Sequence, residues 1–230
     1  MSNFTDLKNN SIKGIIFDLD GTLYKMQWFF RPLLTANLLS TCMRLPRFLK
    51  IRGTFSGIDM NSGNKLVNAI CEKVASAEKC SKDEIHNWMD NQFYPAFIKI
   101  LKFFRNSRPE INKTLSLIKM NGLKVGVLSD YDCVSERLTA LGIDTSLFDT
   151  LTSSESFGAL KPAPRPFLEI ASDWNINPRN ILMIGDRSDT DGLAAQSAGM
   201  HFLQITDSEQ KKGFAKWDEI RSFLCSIKEG

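Results

Sequence analysis

Four short strings carry nearly all of the candidate chemistry in this 230-residue chain. Asp18-Leu-Asp20-Gly21-Thr22 sets two carboxylates two positions apart, followed by a glycine that permits a tight turn and then a hydroxyl. Ser129-Asp130, Lys161-Pro162 and Gly185-Asp186-Arg-Ser-Asp189-Thr-Asp191 follow in that order. Two carboxylates at such spacing repel, because each raises the cost of ionising the other. With Asp186 and Asp191 the set grows to four acids. A hard, oxygen-seeking divalent cation resolves that repulsion, and Mg2+ is the usual one where a phosphate also binds. Ser129 and Lys161 supply the opposite chemistry, a hydroxyl donor and an ammonium suited to phosphate oxygens. Backbone N–H groups freed by the turn at Gly21 add to such an anion site.

Each string alone is ordinary. Asp-x-Asp-Gly is also an Asx-turn, a Ser at a strand end often caps a helix, and a Lys before Pro is usually just exposed. Asp189 reads either as a further acid or as a helix N-cap, and Leu193 and Ala194 beyond it favour the cap. What matters is the set of elements that would bring the strings together. Ile12–Phe17 is a short apolar run ending at Asp18, the pattern of a buried strand entering a turn. Leu123–Leu128 and Ile181–Ile184 repeat it, ending at Ser129 and at Gly185-Asp186. Residues 149–152 and 201–205 are further strand candidates. Helix-spaced apolar residues separate them: Ile111, Leu115 and Ile118; Val134, Leu138 and Leu141; Phe167, Ile170 and Trp174; then a helix through Leu193 and a last one carrying Trp217, Ile220 and Phe223. Strands alternating with helices in this way predict a parallel sheet covered on both faces. Ligands bind at the carboxyl ends of such strands, where the four strings fall.

Residues 25–105 break this rhythm. Strand signals vanish and helical spacing takes over, with Leu66, Ile70 and Val74 on one face and Ile85, Trp88 and Met89 on another. Ser81 with Glu84 three positions on reads as a capping box opening that second helix. The stretch 93–104 is apolar but irregular.

Taken in order, the four strings resemble the haloacid dehalogenase-like hydrolase superfamily. The resemblance covers residues 12–24 and 107–228, and implies a Rossmann-like α/β core (1–24 and 106–230) with a smaller all-helical cap domain at 25–105. It implies that Asp18 is a nucleophile taking the phosphoryl group as an aspartyl-phosphate. Asp20 would protonate the leaving oxygen and then activate water. Mg2+ would be held by the Asp18 side chain, the Asp20 carbonyl and Asp186, with Asp191 as a ligand or supporting through water. Thr22 and Ser129 would bind phosphate, and Lys161 would neutralise its charge. The acid at Asp20 points to the phosphotransfer branches, because members that cleave carbon–halogen bonds lack it. The expected activity is a Mg2+-dependent phosphomonoesterase. A phosphomutase is the alternative, as is a phosphonate hydrolase using a Schiff-base lysine, for which no motif singles out Lys25, Lys50 or Lys65. A non-catalytic binding or regulatory protein on the same fold is disfavoured because every expected group is present.

Composition narrows the remaining classes. Hydrophobic residues at 43% and charged residues at 24% describe a globular chain. The net charge of +3 is too small for a nucleic-acid binder; the resemblance implies a small phosphorylated metabolite as the partner. Five cysteines with no close pair, and two histidines, fit neither a disulfide framework nor a zinc site. Residues 1–10 read as a loose tail without a signal-peptide core, so a cytoplasmic location is expected. The apolar stretch Trp28–Leu49 is interrupted by Arg31, Pro32, Arg44, Pro46 and Arg47, which excludes a membrane span. Its mixture with Arg31, Arg44, Arg47, Lys50 and Arg52 leaves a membrane-surface role as a weaker alternative to simple packing.

Overall fold

The computed structural model describes residues 7, 11–38, 41, 43–207 and 214–227. The expected loose tail at 1–10 and Cys42 therefore lie outside the described residues, save Leu7, which is buried. Five strands form one parallel sheet in the order β3-β2-β1-β4-β5: β1 (Gly14–Phe17), β2 (Lys124–Ser129), β3 (Thr150–Ser153), β4 (Ile181–Gly185) and β5 (His201–Gln204). The chain thus builds outward from β1 in one direction and then in the other. That reversal opens a crevice at the carboxyl end of β1, beside β2 and β4.

Both sheet faces are buried at the centre, so β1 and β4 are apolar throughout, yet their residues still divide by the period of two. Ile15 and Phe17 enter one core with Leu182 and Ile184; Ile16 enters the other with Leu128, Ile181 and Met183. The second core is closed by α9 (Arg165–Asp173), whose Phe167 and Ile170 lie fully buried, and by α10 (Leu193–Ser197). The first is closed by α6 (Ile111–Met120), α7 (Val134–Ala140) and α11 (Trp217–Ser226). The short α8 (Ser154–Phe157) follows β3.

Between β1 and α6 the chain is helical as expected: α1 (Phe30–Asn37), α2 (Arg44–Gly53), α3 (Gly63–Glu78), α4 (Lys82–Trp88) and α5 (Tyr94–Phe104). It leaves and re-enters the sheet region at one place, where Tyr24 pairs antiparallel with Ser107. The apolar stretch at 93–104, irregular by spacing, is one helix, entered from α4 through a π-helical turn at Met89–Phe93. Its apolar residues outnumber what one face can bury, and Phe103 stays 80% exposed. Ser81 caps α4 by accepting from the Glu84 N–H at 3.1 Å. The reciprocal half of the expected capping box is replaced, because the Glu84 carboxylate accepts from Arg44 at 2.6 Å. Phe48, Trp88, Phe93 and Phe97 of this segment belong to the same apolar cluster as β1 and β2.

The membrane-surface alternative loses three of its five cations here. Arg44 and Arg47 both bind Glu78, and Arg52 is buried against Glu155. No helix among the described residues is long and apolar enough to cross a membrane.

Glycines in two central strands make room for one ring. Trp174 lies across Gly14 and Gly126, its indole N–H held by Thr150 at 2.9 Å, and a Cβ at Gly126 would sit 2.8 Å from that ring. Because the ring is pinned, Gly126→Ala should destabilise the protein by about 1–3 kcal/mol, the cost of overpacking a filled site. Urea denaturation would read it, and an unchanged midpoint would mean that the ring moves aside.

Candidate active site

The strand ends deliver the expected side chains to one point. Asp18 follows β1, Ser129 ends β2, Asp186 and Asp191 follow β4, and Lys161 arrives from the loop after α8. Lys161 is almost fully buried, and its ammonium donates to Asp18 Oδ1 at 2.7 Å and to Asp191 Oδ1 at 2.8 Å. Thr22 donates to the other Asp18 oxygen at 3.1 Å. Carboxylate oxygens of Asp18, Asp186 and Asp191 lie within 4.8 Å of one another.

Burial and crowding set the electrostatics. Asp18 is pushed up to about 7, chiefly by burial, with Lys161 pulling the other way and Asp191 and Asp20 adding their repulsion. Asp186 is also pushed up to about 7, by burial and then by Asp18. Asp191 is raised by burial as well. Burial alone would favour a neutral Lys161, but Asp18 and Asp191 hold the ammonium well above its ordinary value. One lysine therefore serves more acids than it can neutralise, which is the donor chemistry of a divalent-cation site.

Asp20 faces differently. Its Oδ1 accepts from Tyr24 at 2.7 Å and from Arg137, and its Oδ2 accepts from Ser129 at 3.3 Å. The guanidinium of Arg137 is completely buried; it also donates to Ser129 Oγ at 2.9 Å and the Tyr131 carbonyl at 3.0 Å, and lies 4.4 Å from the Phe97 ring of α5. A buried charge of this kind demands partners, and Asp20 is the ionic one. Sequence spacing missed Arg137, because its position on α7 reads as a surface residue among Val134, Leu138 and Leu141.

Other polar residues support the site. Arg108 donates to the carbonyls of Thr22 at 2.9 Å and Gly21 at 2.8 Å and pairs with Asp207, fixing the turn after Asp18. Arg52 of α2 bonds the Asp130 carbonyl and Glu155, with its guanidinium 4.1 Å from the Tyr131 ring. Tyr94 donates to Glu155 at 2.5 Å. Gln204 donates to the Asp186 carbonyl at 2.8 Å. Asp130 bridges β2 to the lysine loop, accepting from Ser154 at 2.6 Å and the Lys161 N–H at 3.3 Å. Gly21 has φ +87°, and a Cβ there would run into the Asp186 carboxylate, so this turn needs glycine twice over.

Asp189 does not cap a helix. It is exposed and pairs with Arg187 at 2.6 Å, on the first turn after β4, which is π-helical (Ser188–Gly192). The extra residue in that turn carries Asp189 outward, while Asp191 turns inward. Burial pushes the Cys71 thiol up to about 12 and Cys133 up to about 11, so neither is a ready nucleophile.

A cavity of about 790 Å3 opens above these acids, with Asp18, Lys161 and Asp186 on its floor and residues of α1, α2 and α5 on its walls.

Comparison with known proteins points to one family. The family described as haloacid dehalogenase-like hydrolase matches residues 12–199. A glyceraldehyde 3-phosphate phosphatase from Methanocaldococcus jannaschii is 27% identical over 213 residues, 87% of each chain. A phosphoglycolate phosphatase from Aquifex aeolicus is 26% identical over 192 residues, 82% of each. Among solved structures, that of a predicted phosphoglycolate phosphatase from Haemophilus somnus superposes with a TM-score of 0.56 at 27% identity, covering 85% of this chain and 86% of that one. A β-phosphoglucomutase from Clostridium difficile gives 0.61 at 22% identity over 93% and 97%, a likeness of fold alone.

The raised acids carry a pH signature. Between about pH 4 and 7 the folded protein keeps a proton on Asp186 that the unfolded chain has released, so ionising it costs stability as pH rises through that window. In EDTA, wild-type stability minus that of Asp186→Asn should therefore fall from pH 4 to 7 and then level. Paired urea titrations would show it; a difference that rises over this range would reverse the assignment.

Proposed function

The chain belongs to the haloacid dehalogenase-like hydrolase family, and on that premise we propose that it hydrolyses a phosphomonoester in two steps through a phosphoryl group carried on Asp18. The observation that carries this reading is the position of Asp18, at the floor of the cavity with one oxygen on Lys161 and the other on Thr22. A carboxylate so held can attack phosphorus, since phosphoryl transfer asks for positioning and charge stabilisation more than elaborate chemistry.

In the first step an Asp18 oxygen bonds to phosphorus, and the alcohol leaves with a proton from Asp20. In the second, Asp20 takes a proton from water, whose oxygen displaces the Asp18 carboxylate and releases phosphate. Lys161 balances charge on Asp18 and on the phosphoryl oxygens. Ser129, together with Thr22 and the N–H groups following Asp18, is assigned to the phosphate. Arg137 and Tyr24 hold the Asp20 carboxyl group toward the leaving oxygen. Mg2+ fits the acids: Asp18, Asp186 and the Asp20 carbonyl would hold it, with Asp191 supporting, since Asp191 is already engaged by Lys161. When bound it offsets the repulsion between Asp18 and an incoming phosphate dianion.

Helices α1–α5 would act as a cap domain, with the Tyr24–Ser107 crossing as its two-stranded stem. Of Lys25, Lys50 and Lys65, Lys50 alone lines the cavity, so the phosphonate-hydrolase alternative keeps one candidate among these three. The phosphatase relatives favour hydrolysis over mutase chemistry. The described cysteines are free, in keeping with a reducing, cytoplasmic setting.

Phosphate release from 4-nitrophenyl phosphate should require Mg2+ and stop in EDTA; full activity in EDTA would rule the reading out. In single-turnover measurements Asp20→Asn should slow alkyl phosphates by roughly tenfold more than aryl phosphates, whose leaving groups need less protonation. Arg137→Met should show the same bias, more weakly. Equal losses for both ester types would remove Asp20 from the proton transfer.

A further inference from the structure

The cavity is much larger than the chemistry needs. Pockets of about 300–1,000 Å3 enclose drug-sized ligands, and this one, at about 790 Å3, lies high in that range. A phosphate with a two- or three-carbon alcohol would fill only the floor, leaving the walls against water.

Those walls have a definite chemistry. Phe30 and Leu34 of α1, Leu49 of α2, and Phe93 and Phe97 are among the apolar lining. Their rings pack as a set, Phe30 on Phe97 with centroids 5.2 Å apart and Phe97 on Tyr131 of the core at 5.8 Å. Arg31 and Lys50 belong to the same lining. Both are exposed, and among the described residues neither has an ion-pair partner, whereas Arg44, Arg47 and Arg52 beside them are all engaged by carboxylates. Gly53, at the end of α2, also lines the cavity, and a Cβ there would meet no heavy atom within 4 Å. A helix gains nothing from glycine at such a position, where alanine is the better former. The missing side chain leaves room.

Apolar rings, two free cations and open space on the wall facing a phosphate site describe the other end of a substrate. Binding energy from a remote part of a substrate lowers the barrier only if that part reaches the walls, which a short alcohol cannot do. Resting on the phosphatase reading above, we propose that the substrate is a phosphomonoester whose alcohol carries a ring and, at its far end, a second anion, and that Gly53 keeps the space the ring occupies. The ring lies against Phe30 and Leu34, and the anion meets Arg31 and Lys50.

Three alkyl phosphates with leaving alcohols of similar class separate the contributions: 4-carboxybenzyl phosphate, benzyl phosphate and phosphoglycolate. With Mg2+ present, kcat/KM should rank in that order, the first exceeding the last by about tenfold or more, the scale of a filled apolar pocket. In Gly53→Phe, checked for fold by circular dichroism, the ratio of the first to the last should drop at least about tenfold, because the new ring takes the substrate ring's place. Gly53→Ala should keep the wild-type ranking. Phosphoglycolate turned over as well as 4-carboxybenzyl phosphate, or a Gly53→Phe loss shared equally by all three, overturns the proposal. Turnover of 4-nitrophenyl phosphate with none of the three also overturns it while leaving the phosphatase reading intact. Failure of 4-nitrophenyl phosphate as well removes both.

Discussion

Everything at this site depends on one buried cation, the Lys161 ammonium held between Asp18 and Asp191. Removing such a charge from water is costly, and only close partners with good geometry offset it. The sheet supplies them by ending β1 and β4 side by side, so that residues 173 positions apart in sequence, Asp18 and Asp191, converge on one amine. The lysine in turn makes the buried Asp18 carboxylate tolerable. It does not finish the task, since Asp18 and Asp186 still sit near 7, the first displaced by burial, Asp191 and Asp20, the second by burial and Asp18. A site left with unbalanced negative charge and one fixed ammonium is ready to bind a cation and a phosphate together.

Around this centre stands a ring of buried arginines, each tied to a different loop. Arg108 holds the turn after Asp18 through two carbonyls. Arg137 holds Asp20 and Ser129. Arg52, from α2, grips the Asp130 carbonyl and Glu155. Guanidinium suits this work because its planar fork keeps several donors in fixed directions and remains charged when buried. Two of the three also join the helical segment to the sheet: Arg52 comes from α2 and stacks on Tyr131, and Arg137 comes from α7 and stacks on Phe97. Since Phe97 also lines the cavity, the cavity wall is in contact with the arginine that binds Asp20.

The sequence made the floor of the site legible and left its supports hidden. Asp18, Asp20, Ser129, Asp186 and Asp191 stand at or just past strand ends and Lys161 in the loop after α8, where alternation of strand and helix is enough to bring them together. Arg52, Arg108 and Arg137 stand on helices or in a junction, in positions that the apolar spacing marks as solvent-facing. Their burial depends on which element packs over them, and periodicity carries no information about that. Asp189 shows the same limit in reverse. Its spacing suits a helix cap, but the turn after β4 contains one more residue than an α-helix and rotates it to solvent. The helical segment was legible as helix; the continuity of its apolar cluster with the sheet was not, because contacts between distant segments leave no local trace.

The central claim is that phosphorus is bonded to Asp18 during turnover. Acid quenching the protein in the steady state with a phosphomonoester and Mg2+, followed by borohydride, reduces an acyl phosphate to an alcohol and converts that aspartate to homoserine. Peptide mapping should find homoserine at position 18, dependent on substrate and absent in Asp18→Asn. Homoserine at another aspartate, or none at all while phosphate is released at the wild-type rate, would contradict the account.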